Sequence, residues 1–170
     1  MNSNKNLVFL GMMGSGKSSI GKLVSKELNL PFIDIDSLIV ENAEMSISQI
    51  FEKRGEIYFR NLEEKITIKS LKKIKSVISL GGGGFINPKI RKEILTNHFS
   101  FWLNWDESIL INRIKNSKKR PIAFHSNDQE IKHLIKTRAK IYSKAQFKIN
   151  CNKLSKAEIV KKIIKINELN

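Results

Sequence analysis

The strongest constraint on the fold is a glycine-rich segment that directly follows a short apolar run. Residues 7–10 form the run, and residues 11–18 (GMMGSGKS) match the pattern G-x-x-x-x-G-K-S/T at every fixed position. Residues 17–28 then carry apolar side chains at helical spacing. A strand, a glycine-rich loop and a helix in this order form a phosphate-binding loop. The segment therefore predicts binding of a nucleoside triphosphate.

Each fixed position of this loop has a chemical task. Glycines let the backbone approach phosphate oxygens with its N–H groups pointing inward, and the following helix adds a favourable dipole. Lys17 is expected to reach the β- and γ-phosphates and to act in catalysis, and the Ser18 hydroxyl is expected to bind Mg²⁺. The nucleotide-binding residues predicted in this segment are Gly14, Ser15, Gly16, Lys17, Ser18 and Ser19.

The rest of the chain alternates apolar runs of strand length with segments of helical spacing. Strands are predicted at residues 7–10, 31–35, 77–80, 99–103 and 147–151, and helices at 17–28, 37–72 with a break at Gly55, from Pro88, and at 108–114, 128–145 and 157–166. This alternation indicates a parallel sheet with helices on both faces, a three-layer α/β/α fold. Residues 115–127 are polar and aperiodic and predict a mobile loop. Because no repeat or linker divides the chain, residues 1–170 are expected to form one domain.

The chain is strongly basic, with 31 Lys and Arg residues against 16 acidic ones and a net charge of +15. Most of the excess lies in residues 86–170, is lysine rather than arginine, and is scattered over predicted helix faces without interleaved aromatic residues. This distribution favours a solvated lysine-rich surface over a nucleic-acid interface, with attraction of small anionic ligands as an alternative. No nucleic-acid partner is predicted.

Three observations bear on the cellular compartment. No apolar run approaches the roughly 18 residues of a membrane span, and the N-terminal residues carry no cleavage signal. The single cysteine, Cys151, excludes an internal disulfide and a multi-cysteine zinc site. These features predict a cytoplasmic protein that has no membrane partner.

Other motifs narrow the class of nucleotide-binding protein. A GTPase needs a guanine-reading N-K-x-D motif, but residues 152–155 (NKLS) lack the aspartate. The strand predicted at 77–80 ends in glycines instead of the acidic magnesium ligand that motor and helicase ATPases carry. A small-molecule kinase is therefore the favoured class.

Further motifs follow the phosphate loop in a specific order. They are FIDID at residues 32–36, GEIYFR at 55–60, GGG at 81–83, RP at 120–121 and RAKIY at 138–142. With this set, the chain resembles the shikimate kinase family over residues 7–166. The phosphate loop alone is shared by many unrelated proteins, whereas the combined set is much more specific.

The resemblance implies ATP-dependent phosphorylation of the 3-hydroxyl of shikimate, which gives shikimate 3-phosphate and ADP on the route to chorismate and aromatic amino acids. It also implies a five-stranded parallel sheet, a substrate-binding helical region at about residues 36–64 and a mobile lid at about 115–127. ATP, Mg²⁺ and shikimate are the expected ligands, and a monomer is the expected state.

On the acceptor side, the resemblance assigns four positions. Asp36 is expected to hold substrate hydroxyls and act in catalysis, Gly82 to offer its backbone to the substrate, and Arg60 and Arg138 to bind the shikimate carboxylate. Planar recognition of a carboxylate favours guanidinium over ammonium, and four of the six arginines of the chain lie at motif positions. As an alternative, Asp36 could cap the helix that follows it.

On the nucleotide side, the resemblance places Arg113 near the adenine and brings a catalytic Arg120 from the lid onto the phosphates. Asp34 is expected near the magnesium, through water, although it could instead orient the phosphate-loop lysine or serine. Because Asp34 and Asp36 are two residues apart, an extended strand end would put both carboxylates on one face.

Two segments depart from the family pattern. Gly84 stands where the family commonly has alanine or serine after the glycine triplet, which predicts a looser turn. Residues 152–156 (NKLSK) lack the arginine that family members often place against the adenine, which leaves adenine contacts there unassigned.

Two rival functions stay open. A gluconate kinase would also bind a polyhydroxy carboxylate, so Arg60 and the two aspartates do not exclude it. A phosphate-loop protein of weak activity could instead bind nucleic acid or a protein through its basic half. A nucleoside monophosphate kinase is disfavoured because Asp34 and Asp36 would repel a phosphate acceptor.

Overall fold

The computed structural model describes residues 4–116 and 127–169, which form a sheet between two layers of helices. The strands are β1 (Leu7–Leu10), β2 (Phe32–Asp34), β3 (Val77–Ser79), β4 (Phe99–Asn104) and β5 (Phe147–Asn150). The α-helices of these ranges are α1 (Lys17–Glu27), α2 (Ile35–Ala43), α3 (Ile47–Leu71), α4 (Pro88–Asn97), α5 (Glu107–Lys115), α6 (Asp128–Tyr142) and α7 (Lys156–Glu168). A short 3₁₀-helix spans Gly84–Ile86.

The sheet has the strand order β2-β3-β1-β4-β5, and every neighbouring pair is parallel. In the central strand, Leu7 pairs with Val77 on one side and with Phe99 on the other. Because the strands all run the same way, their carboxyl ends meet at one edge, where such folds bind ligands. The predicted five-stranded parallel α/β fold is confirmed.

The central strand separates two apolar cores by simple alternation. Val8 and Leu10 pack on one face with residues of α2, α3, α4 and α6, whereas Leu7 and Phe9 pack on the other with residues of α1 and α7. All four side chains are at most 2% exposed. A strand buried on both faces carries a continuous apolar run, which is what residues 7–10 show. The central strand therefore holds the phosphate loop on a rigid base.

The structure corrects one local prediction at the end of β2. The strand stops at Asp34 and α2 begins at Ile35, so Asp36 lies in a first helical turn and not on an extended strand end. The reason is capping: the Asp34 carboxylate accepts a hydrogen bond from the Ser37 N–H at 3.2 Å. The two aspartates do not share a strand face, and the cap is Asp34 rather than Asp36.

Gly55 breaks the long helix as predicted. Its φ and ψ angles of 79° and 170° are non-helical, and they divide α3 into two helical pieces. A side chain would be strained in this left-handed region, so glycine is the residue that permits the break. The second piece carries the GEIYFR motif toward the carboxyl edge of the sheet.

Two further predictions are limited by what the structure describes. No helix within residues 4–116 and 127–169 is both long and apolar enough to cross a membrane. The predicted lid falls mainly on residues 117–126, so Arg120 and Pro121 lie outside the described residues.

Candidate active site

The phosphate loop joins β1 to α1 and closes around Lys17. Gly14 and Gly16 adopt positive φ angles of 77° and 86°, and α1 begins directly after Gly16. The buried Lys17 ammonium donates to the carbonyl oxygens of Gly11 at 2.9 Å and Met12 at 3.0 Å. Glycines at these angles avoid the strain that other residues would suffer. The lysine and the loop backbone thus form one closed unit.

Three oxygen-bearing side chains line up beside this loop. Asp34 ends β2 and pairs in register with Ser79, which ends β3. The Ser79 hydroxyl lies 3.3 Å from the hydroxyl of Ser18, the second residue of α1. Mg²⁺ prefers oxygen ligands and usually binds proteins through one or two groups plus substrate phosphates. The donors at this edge fit an ion that arrives with a nucleotide. In the part of the chain that the structure describes, no cluster of three or more His, Cys, Asp and Glu could hold a metal by itself.

A cavity of about 370 Å³ lies on the outer side of the phosphate loop. It is lined by Gly14, Ser15, Gly16 and Ser19 of the loop region, and by Ile20, Trp105, Arg113, Leu154, Lys156 and Ile159. Arg113 donates to the Gly14 carbonyl at 3.3 Å. The cavity therefore brings Arg113, which the family resemblance places near the adenine, together with Leu154 and Lys156 of the segment 152–156.

The loop after β5, which leads to Leu154 and Lys156 of the cavity wall, is hydrogen-bonded to the segment that follows β4. The Asn152 amide donates to the Asp106 carboxylate at 2.7 Å, and its carbonyl accepts from the Asp106 N–H at 2.9 Å. These two bonds fix the loop after β5 against the loop after β4. Leu154 and Lys156 are thereby held at a set distance from the phosphate loop.

The glycine turn after β3 gives space to the candidate acceptor residues. A Cβ atom on Gly81 would lie 2.6 Å from Glu63 Oε1 and 2.7 Å from Asp36 Oδ1, and one on Gly83 would overlap the guanidinium of Arg60. Real Cβ atoms do not approach other atoms so closely. At Gly81 and Gly83, three charged side chains occupy the space that a methyl group would need.

Gly82 lies between Gly81 and Gly83 and contacts residues of other segments. A Cβ atom on it would lie 3.4 Å from the Met13 backbone nitrogen and 3.7 Å from Arg138 Nη1. Its carbonyl oxygen accepts hydrogen bonds from Arg138 at 3.3 Å and from the Tyr142 hydroxyl. The glycine turn therefore touches the phosphate loop on one side and α6 on the other. The predicted Arg60 and Arg138 converge on two consecutive glycines.

Arg60 is held by two carboxylates of its own helix. It donates to Glu63 at 2.8 Å and to Glu56 at 3.2 Å. Burial alone would lower the pKa of Arg60, but these hydrogen bonds and the attraction of both carboxylates outweigh it and raise that pKa. Arg60 is thus a fixed cation with its guanidinium aimed at the glycine turn.

Glu63 is the buried carboxylate of this cluster. Burial raises its pKa, and the hydrogen bond from Arg60 opposes that shift. Its second oxygen, Oε1, is buried and has no hydrogen-bond partner among the described residues. A buried acceptor without a donor is costly. This oxygen packs against Gly81, so Glu63 is part of the structure behind the glycine turn.

Tyr142 closes the wall behind Gly82. The residue is 2% exposed, and burial raises the pKa of its hydroxyl to about 12. The phenol consequently stays protonated at neutral pH and keeps its donor bond to the Gly82 carbonyl. Its ring also packs near Trp102 of β4, with ring centres 6.1 Å apart.

Comparison with known proteins identifies the family. The shikimate kinase family model matches residues 13–168. The chain is 40% identical over 160 residues to a shikimate kinase of Bartonella quintana, covering 94% of this chain and 76% of that protein. The chain belongs to the shikimate kinase family.

Solved structures of the family agree with this assignment. The shikimate kinase of Aquifex aeolicus superposes with a TM-score of 0.86 at 38% identity, over 96% of each chain. A shikimate kinase of Acinetobacter baumannii in complex with shikimate gives a TM-score of 0.91 at 25% identity, over 98% of this chain and 94% of that one.

The motif residues that the family resemblance singles out fall into two groups in the fold. Asp36, Arg60 and Arg138 lie around the glycine turn that contains Gly82. Arg113 lines the cavity together with the phosphate-loop region, of which Lys17 is held by loop carbonyls while Ser18 and Asp34 lie toward Ser79. Arg120 belongs to neither group because it lies outside the described residues. The four acceptor-side residues come from separate segments that the sheet and α6 bring together.

Sequence reasoning gave no site role to four residues that the structure places here. They are Glu63, Ser79, Trp105 and Tyr142. Glu63 stands three residues after Arg60, a spacing that permits an ion pair on a helix, so the pair itself had a signal. Ser79, Trp105 and Tyr142 each contact a residue more than 50 positions away, and no local sequence pattern predicts these contacts.

Proposed function

We propose that this protein transfers the γ-phosphoryl group of ATP to the 3-hydroxyl of shikimate, and that the glycine turn is the floor of the acceptor site. The observation that carries the proposal is the convergence of Arg60 and Arg138 on Gly83 and Gly82, directly against the phosphate loop at Met13. Two guanidiniums favour a planar carboxylate. Membership of the shikimate kinase family supports the choice of shikimate.

The charges around the turn suit an acceptor that carries one carboxylate and several hydroxyls. Arg60 and Arg138 supply two positive charges, and Glu63 and Asp36 lie beside Gly81 as hydrogen-bond acceptors. A hydroxylated ring can place its carboxylate on the arginines and its hydroxyls on the carboxylates. A phosphate acceptor would meet those carboxylates as like charges, which disfavours a nucleoside monophosphate.

The reaction follows from this placement. Asp36 accepts a hydrogen bond from the 3-hydroxyl, takes its proton as the oxygen bonds to the γ-phosphorus, and ADP departs as the bridging P–O bond breaks. Lys17 moves from loop carbonyls to the phosphates and balances the charge that develops on them. Arg120 is proposed as a second cation on the phosphates.

Magnesium is proposed to be held by the Ser18 hydroxyl directly and by Asp34 through water. When bound, Mg²⁺ neutralises charge on the phosphates of the nucleotide. Asp34 also caps α2, so its carboxylate is fixed at the end of β2 before a nucleotide enters. Ser79 orients Ser18 through the contact between their hydroxyls.

The remaining assignments belong to the same proposal. We propose one catalytic domain with a substrate-binding region at about residues 36–64 and a lid at about 115–127, active as a monomer in the cytoplasm without nucleic-acid or membrane partners. Cys151 is a buried free thiol, which suits a reducing compartment. The basic excess is mainly lysine on exposed helix faces, as a solvated surface would have.

A coupled assay of ADP release tests the proposal. Shikimate, gluconate and AMP are offered separately with MgATP, and shikimate methyl ester is added as a matched acceptor that lacks the carboxylate charge. We expect rapid turnover with shikimate, weak turnover with the ester and none with AMP. Turnover with gluconate but not with shikimate would overturn the assignment of shikimate as the substrate. Salt-dependent retention on DNA without turnover on any acceptor would instead support a binding protein.

A further inference from the structure

Trp105 links two parts of the nucleotide side that lie far apart in the sequence. It follows the last residue of β4, and its side chain is half-buried between the two apolar cores. Its indole N–H donates to the Ser15 carbonyl at 2.9 Å. The same ring lies under Arg113, whose guanidinium carbon is 3.9 Å from the ring centre. One side chain thus touches the phosphate loop and the wall of the adjoining cavity.

The contact with Ser15 has a consequence for the loop backbone. A trans peptide points its carbonyl and the following N–H in opposite directions. The bond from Trp105 holds the Ser15 carbonyl on the outside of the loop, so the N–H of Gly16 is turned toward the inside. Inward N–H groups of such a loop are the donors that bind phosphate.

The contact with Trp105 also fixes the position of Arg113. A cation over an indole face is attracted to it, and Arg113 is also bonded to the Gly14 carbonyl at 3.3 Å. Two partners on different segments hold the guanidinium beside the cavity. Its exposed face is then available to stack against a planar base.

We propose that Trp105 is a positioning residue for the nucleotide, which orients the Gly16 N–H through Ser15 and holds Arg113 as a platform for the base. This inference rests on the proposed nucleotide site and adds a residue to it. No contact with the nucleotide itself is assigned to Trp105. It acts through the two partners that its N–H and its ring face engage.

Two variants separate these two tasks. Trp105→Phe keeps an aromatic face for Arg113 and removes the N–H, whereas Trp105→Leu removes both. The probes are MgATP and magnesium triphosphate, which has the phosphates but no base. Dissociation constants are measured by titration calorimetry at about 150 mM salt, where long-range attraction to the basic surface is screened. Lys17→Met gives the background for triphosphate bound outside the loop.

The expected result is a pattern across four measurements. Trp105→Phe should raise the dissociation constants of both probes about fivefold, which is the equivalent of one hydrogen bond of ~1 kcal/mol. Trp105→Leu should weaken triphosphate by about the same factor but MgATP by about twentyfold, because the platform is lost as well. The KM for shikimate should stay within about twofold of wild type in both variants.

Three outcomes would overturn the inference. Binding of both probes by Trp105→Phe within about twofold of wild type would show that the bond to Ser15 does not position the loop. If Trp105→Leu weakened the binding of MgATP and of triphosphate by the same factor, Arg113 would not act as a platform for the base. A parallel rise in the KM for shikimate would mean general damage to the fold. If wild-type protein binds no MgATP, the proposed function itself fails, and this inference with it.

Discussion

The two sides of the site are built in different ways. The phosphate loop is one continuous stretch, residues 11–18, and the phosphate ligands proposed in it are mainly backbone N–H groups. The proposed acceptor side is built from side chains of three helices, α2, α3 and α6, around Gly81–83. Backbone donors survive most side-chain changes, because every non-proline residue carries the same N–H group. The proposed acceptor side has no such tolerance, since its ligands are charged side chains that a substitution removes.

This difference predicts how substitutions divide between the two ligands. A change in the loop should alter phosphate binding and turnover and leave the acceptor untouched. A change at the glycine turn should alter acceptor binding while nucleotide binding stays as it was. A variant that weakened nucleotide binding and acceptor binding by the same factor would contradict this separation of the two sides.

The largest effect is expected for Lys17→Met. It removes the cation that meets the phosphates, so kcat should fall about a thousandfold, the upper range for loss of one preorganised charge-stabilising group. The dissociation constant for shikimate should change less than about twofold. Steady-state kinetics and calorimetry check both values. Lys26→Met, at an exposed position of α1, is the matched control and should be silent.

A smaller effect, confined to the acceptor, is expected for Gly83→Ala. The new methyl group would overlap the Arg60 guanidinium, whereas the φ of −101° at this position is allowed for alanine. Overpacking typically costs ~1–3 kcal/mol, so shikimate binding should weaken about ten- to hundredfold by calorimetry.

Gly84→Ala is the control for that variant. Its methyl group would meet Leu80 at 3.6 Å and Glu63 at 3.7 Å, which are ordinary contacts. Shikimate binding should therefore stay within about twofold of wild type. Equal effects of the two substitutions would mean that the glycine turn does not shape the acceptor site.

The smallest effect concerns stability and the buried wall at Tyr142. Its pKa is about 12 in the folded protein against 10 for the free group. The stabilisation is complete below pH 10 and is lost as pH rises toward 12, because the unfolded chain releases the proton first. Between pH 9 and pH 11.5, the free energy of unfolding should fall by about 2 kcal/mol more in wild type than in Tyr142→Phe.

Urea unfolding of both proteins at the two pH values measures this difference. Lysines also titrate in this range, but they do so in both proteins and cancel in the comparison. Equal pH dependence of wild type and Tyr142→Phe would contradict the buried, donating state of the phenol.

The sequence predicts the fold well where the signal is local. The phosphate loop, the apolar strands and the break at Gly55 depend on neighbouring residues, and the structure has each of them. The error at Ile35 is also local in origin. The pattern FIDID reads as strand alternation, but the side chain of Asp34 caps a helix, and the strand ends one residue earlier than predicted.

The acceptor site is less accessible to sequence reasoning because its contacts are long-range. Only the family resemblance points to Arg60 and Arg138, and Tyr142 acquires its partner, Gly82, across 60 residues. The burial of Glu63 depends on how α3 packs against the glycine turn. Gly84 is buried and begins a 3₁₀-helix, while the looser turn that the sequence predicts there stays a prediction.

The central claim is that two guanidiniums hold the carboxylate of the acceptor, and Arg138→Lys tests it most directly. Lysine keeps the charge but cannot form the same planar, charge-assisted bonds. Calorimetric titration with shikimate should show a dissociation constant about 30-fold higher, equivalent to ~2 kcal/mol. Titration with MgATP should be unchanged, and Lys140→Arg, at an exposed position of α6, should leave both ligands unaffected. A shikimate dissociation constant within about twofold of wild type would place Arg138 outside the site and contradict the substrate assignment.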